Sequence, residues 1–267
     1  MLIPFTRLAA LPSRILRASL AMLLAASAPV SAGGESAQTL PIASKSTPPA
    51  AGPNLEITAA SVRYLADLDL LVFEQKVRGK AGATVPEARG QLDGAPVLGF
   101  VFPTTLAPAD VGFSGAEGTV ALALTSHPDF DDTPLWDENG NRDYGDDGIV
   151  FHTHWVLLGA DNRVPGGLAV QQFPAAEIAE RLPPTHPGMP LYLDSPGFSA
   201  VLRGNTLRIL VPAQRVGNRT DFRFDAVSAY MEVSQSPDTP MLGVYKVYGV
   251  LSGDLSLPYE VKHSKSR

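Results

Sequence analysis

The chain contains no cysteine. That absence excludes disulfides, thiolate metal sites, cysteine nucleophiles and a lipid anchor on a leader-end thiol, so stability must come from an ordinary core. Beyond the N-terminal region no apolar run approaches ~20 residues, so the mature chain is expected to have no stable membrane span. Catalytic signatures are missing too. There is no G-x-S-x-G elbow, no S-x-x-K, no H-E-x-x-H and no phosphate-cradling glycine loop. Nothing selects a substrate, so enzymatic activity stays open and binding is the preferred reading. Charge is scarce as well: 18% of residues are Asp, Glu, Lys or Arg, against ~25% in an average domain. What charge there is turns out to be concentrated in one place.

The N-terminal residues have the build of a secretory signal. Arg7, Arg14 and Arg17 form a basic n-region, residues 18–26 an apolar h-region, and Val30-Ser31-Ala32 a small-residue cleavage site. Residues 1–32 are therefore expected to be removed, and the protein is expected to be periplasmic or secreted. Losing three arginines takes the formal net charge from −6 to −9, and residues 126–148 alone carry −7. A local negative patch repels phosphates and attracts cations, which argues against nucleic acid as a partner. Residues 33–53 are rich in Pro, Ser and Ala without apolar periodicity and read as a flexible linker. Residues 54–258 are one domain's worth of chain, and residues 259–267 form a basic tail.

Alternating, strand-forming sequence dominates the domain. Residues 68–78, 118–125, 149–158, 206–211, 222–233 and 242–251 are the clearest cases, with shorter candidates at 55–59, 97–102, 168–173 and 198–202. Turn formers such as Asp93-Gly94 and Gly204-Asn205 separate them. Only residues 175–182 suggest a helix. With 24 prolines and 24 glycines as punctuation, about ten strands predict an all-β chain folded as a single β-sandwich, immunoglobulin-like or jelly-roll-like, with one long acidic loop.

That loop holds the densest chemistry. Between Ser126 and Leu158 lie Asp129, Asp131, Asp132, Asp137, Glu138, Asp143, Asp146 and Asp147, opposed only by Arg142. His127 stands at its entry, and His152 and His154 follow its exit, two apart on an apolar run. Residues two apart on a strand share a face, so both imidazoles can reach one ion of the Zn or Cu class. Residues 151, 153, 155 and 157 fill the opposite face, and the histidines are expected to be partly solvated. If strand 118–125 pairs antiparallel with strand 149–158, residues 125–127 face residues 150–152, and the three histidines gather at one end of the sheet. Asp132 and Asp147 are the loop carboxylates expected to complete or orient that site. Separately, Asp137, Asn139 and Asp143 space oxygen ligands as calcium loops do, with Asp146 and Asp147 available to complete a Ca²⁺ site. Trp136 and Tyr144 are the exposed aromatics that would contact a ligand such as a sugar.

Three stretches, residues 65–79, 205–212 and 222–233, resemble exported sandwiches of the DOMON type in their strand rhythm. The resemblance implies haem or sugar binding between sheets, with Met231 and His152 or His154 as haem axial ligands. The functions in contention are thus non-enzymatic metal capture or metal-stabilised recognition of a small molecule or envelope protein, a DOMON-like haem- or sugar-binding module, and a metal-dependent hydrolase or lyase.

Overall fold

The structure, a computed structural model, describes residues 41–87, 92–127 and 150–264. They belong to one compact unit, Thr39–Arg267. In chain order the strands are β1 (Ile57–Leu65), β2 (Leu70–Val77), β3 (Pro96–Pro103), β4 (Thr119–Ser126), β5 (His152–Ala160), β6 (Leu168–Val170), β7 (Leu193–Asp194), β8 (Ala200–Arg203), β9 (Thr206–Pro212), β10 (Arg223–Phe224), β11 (Val227–Val233), β12 (Leu242–Val250), β13 (Tyr259–Glu260) and β14 (Lys262–Ser264). A single short helix, α1 (Ile178–Arg181), lies in the stretch where the sequence suggests one. The chain is all-β, as its alternation predicts.

The architecture differs from a single sandwich. One sheet has the order β14-β1-β2-β9-β8; the other runs β4-β3-β11-β12-β6-β5-β7, and β4 also pairs with β5. That last pairing joins β4, β3, β11, β12, β6 and β5 into a closed six-stranded barrel, with the five-stranded sheet packed on its outside. The inner faces explain the closure. On β3 and β4 the large side chains Leu98, Phe100, Phe102, Val120, Leu122 and Leu124 belong to the core shared with Leu71, Phe73, Leu207 and Ile209 of the outer sheet. The alternate positions, Val97, Val101, Ala121 and Ala123, belong to a second core with Val156, Ala229 and Met231 inside the barrel. Small residues suit the tight interior of a barrel of few strands. Gly99 is the limiting case, since a Cβ there would lie 3.0 Å from the Met231 methyl. Both faces of these strands are buried, so β3 is closed to solvent at every position.

Bulges adjust β12 to the barrel. The β11–β12 register shifts between Ser228 and Ala229 and again between Tyr230 and Met231. Each bulge inserts a residue and bends the strand, and Leu242, Val244, Val247 and Val250 all line the interior despite their uneven spacing.

Two terminal segments make defined contacts with the barrel and its outer sheet. Residues 41–53, in the stretch read as a flexible linker, are tied to the outside of the barrel. Glu232, fully buried, accepts hydrogen bonds from the backbone N–H groups of Lys45 and Ser46, both at 2.9 Å, and from the Ser44 hydroxyl. The Tyr248 phenol, pushed up to about 12 by burial, donates to the Pro49 carbonyl at 2.8 Å. Composition hides this because the partners are backbone groups. Replacing Glu232 with Gln sets an NH2 group against one of the two N–H donors and is expected to cost about 1–3 kcal/mol. Faster proteolysis within residues 41–53 is the readout. The basic tail is also structured: β13 pairs with β10, and β14 adds to β1 as a parallel strand.

Candidate metal centre

The expected pairing of β4 with β5 is present and in the expected register: Thr125 faces His152 and Ala123 faces His154. His127 follows directly on β4. The three imidazoles therefore converge where the two strands meet residues 128–149. His127 and His154 are 2% and 3% exposed and His152 is 9% exposed. The partial solvation expected for them is replaced by burial, because β5 is packed on both faces. His154, Val156 and Leu158 point into the barrel, while Trp155 and Leu157 pack toward the outer sheet.

The nitrogen geometry is that of a ligand set. His127 Nε2 lies 2.8 Å from His152 Nε2 and 3.4 Å from His154 Nε2. Each residue offers one ligand nitrogen, and these lie within 4.8 Å of one another. Nitrogens bound at 2.0–2.1 Å to a tetrahedral ion sit ~3.3 Å apart, so the cluster is close to the required size. The outer hydrogen bonds orient two of the rings. His152 Nδ1 is 2.8 Å from the Val150 carbonyl oxygen, which can only accept, so Nδ1 carries the proton and Nε2 presents its lone pair. His154 Nδ1 lies 3.0 Å from the Ser195 hydroxyl, which can donate or accept and so fixes the orientation of the ring, with Nε2 inward, rather than its tautomer. Lone pairs aimed at one point repel unless a cation or a proton sits between them. Outer partners of this kind fix ring orientation and raise ligand basicity.

Ser195 carries no sequence signal for this role; it lies 41 residues from His154 in an ordinary Asp-Ser-Pro-Gly turn. Its neighbour Asp194 is 1% exposed, and burial pushes its carboxyl above the usual carboxylate range. The hydroxyl can be tested directly. Ser195→Ala is expected to weaken Zn²⁺ binding about 10–100-fold, the usual loss for an outer partner of a metal ligand. Calorimetry would measure the loss, with an unchanged circular dichroism spectrum as the control.

Of the other predicted site residues, Asp132, Asp137, Asn139, Asp143, Asp146, Asp147, Trp136 and Tyr144 lie outside the described residues, as do the leader residues 1–32. Met231, the haem-ligand candidate, lines the barrel interior together with His127 and His154. The cavity there measures ≈170 Å³, below the ~300–1,000 Å³ typical of pockets for drug-sized ligands. Among the described residues no helix is long and apolar enough to cross a membrane. No protein-family model, curated protein or solved structure matches the chain.

Proposed function

We propose that this is an exported metal-binding protein whose ion is held by Nε2 of His127, His152 and His154. The observation that carries this reading is the convergence of three buried imidazoles whose Nε2 atoms face one another, two of them directed inward by hydrogen bonds at Nδ1. An all-imidazole set suits Zn or Cu. Export is supported by the leader-like N-terminus, and the acidic residues 128–149 beside the site would draw cations toward it. The role is metal capture, or recognition of a second molecule at the bound ion. Elemental analysis of protein purified from its native compartment tests the reading: one equivalent of a first-row ion is expected, and metal-free protein that also fails to take up Zn²⁺ or Cu²⁺ would refute it.

A metal-dependent hydrolase or lyase is the second reading. It requires three protein ligands and an open position beside a substrate space, and the cavity next to His127 and His154 favours it. Turnover of p-nitrophenyl esters by Zn²⁺-loaded protein, absent from the metal-free form, would separate it from the first.

A further inference from the structure

The cavity inside the barrel has chemistry of its own. Its ≈170 Å³ is comparable to the ~150 Å³ engineered cavity that binds benzene. Its wall is aliphatic, with Val97, Val156, Ala229 and Val244 among the lining residues. Along β4 the lining runs from Thr119 to Thr125, a distance of ~20 Å at the usual strand rise. A small volume spread over that length makes a narrow bore, which admits an unbranched chain better than a fused ring system. The two ends differ. Leu255 and Leu257 stand at the Thr119 end, and His127 and His154 at the Thr125 end.

A second observation marks the histidine end. Thr125 is 3% exposed, and its hydroxyl, on a residue lining the cavity, has no hydrogen-bond partner. A buried hydroxyl is costly without an acceptor, and a ligand oxygen placed there would supply one. First-row ions take at least four donors, and the described residues bring three imidazoles to the centre. Neutral imidazoles bring no charge of their own, and apolar walls strengthen an ion's attraction for an anion.

We infer that the barrel is a chamber for an unbranched, short- to medium-chain aliphatic acid. Its chain lies along the bore, and its carboxylate sits at the ion and accepts from Thr125. The inference rests on the metal centre proposed above. Each methylene buried contributes about 0.8 kcal/mol, so affinity rises about fourfold per added carbon until the bore is full.

The test uses the intact mature chain loaded with Co²⁺, whose visible bands report its ligands. Hexanoate, octanoate and hexadecanoate are titrated by calorimetry into loaded and metal-free protein. Octanoate is expected to bind about 16-fold more tightly than hexanoate, to shift the Co²⁺ bands and to bind far more weakly without metal. Val250→Phe, which fills the bore away from the histidines, should weaken octanoate at least tenfold and leave Co²⁺ affinity within twofold. Should that variant misfold, the smaller Ala229→Val serves the same purpose. No octanoate binding to Co²⁺-loaded protein overturns the chamber while leaving the metal centre standing. Equal binding with and without metal, or unshifted bands, overturns the carboxylate–ion contact. Failure to take up Co²⁺ at all refutes the metal centre, and with it the proposed head-group site.

Discussion

With both His152 and His154 replaced by Gln, the protein stays folded and its affinity for Zn²⁺ or Cu²⁺ falls more than 100-fold. Loss of a single outer partner costs up to about 100-fold, and this variant removes two direct nitrogen donors. Gln keeps a polar side chain of similar length, so the wall of the barrel is not opened. Calorimetry on metal-free protein measures the loss, and thermal unfolding gives an independent readout. An ion that binds only the folded form stabilises it by about 2.7 kcal/mol at 100 times its dissociation constant, so added Zn²⁺ should raise the melting temperature of the wild type and not of the variant. Imidazole must be neutral to coordinate, so acidification weakens binding in the wild type. Equal affinity in the two proteins would make these histidines a hydrogen-bonded structural cluster sharing a proton.

Phe73→Ala is expected to cost about 3–5 kcal/mol, the range for emptying a buried phenylalanine site. Phe73 is fully buried at the centre of the layer between the outer sheet and the barrel. Its ring centroid lies 5.2 Å from that of Phe102, 5.9 Å from Phe222 and 6.5 Å from Trp155. Trp155 is on β5, directly after His154, so the same change loosens the outer support of the histidine-bearing strand. The melting temperature should drop by about 6–20 °C, given a shift of ~2–4 °C per kcal/mol for a domain of this size. Val201→Ala, at a position 46% exposed on β8, is the control and should stay within about 0.5 kcal/mol. A drop below about 1 kcal/mol for Phe73→Ala would show that the outer sheet is not packed as described.

The strands and the histidine site were both open to sequence reading, for the same reason. Alternation identifies β2, β4, β9 and β12 almost to their ends, and it also places His152 and His154 on one face of β5. His127 joined them through a rule about neighbouring strands, and the observed register of Thr125 with His152 agrees with it. Closure of the barrel was harder to see. A strand buried on both faces reads as continuously apolar, and period alone does not say whether its second face meets another sheet or the inside of a barrel. The usable signal was size: Gly99, Ala121, Ala123 and Ala229 all fall on the inner side. Ser195 and the Val150 carbonyl had no signal, since one comes from a distant turn and the other from the backbone. The contacts of residues 41–53 had no local signal, since their anchor, Glu232, is nearly 190 positions away.

The place of His127 and His152 has a consequence for the unfolded chain as well. They are 25 positions apart in sequence and stand at the two roots of the acidic segment. An ion bound to both ties those roots together and closes the intervening chain into a ring. Because such an ion binds the folded chain alone, it stabilises that state by mass action, by about 1.4 kcal/mol for each tenfold rise in free ion above its dissociation constant. With an ion so bound, a protein without cysteine would have a staple that chelators remove and metal restores, its strength following the supply of ion rather than the redox state.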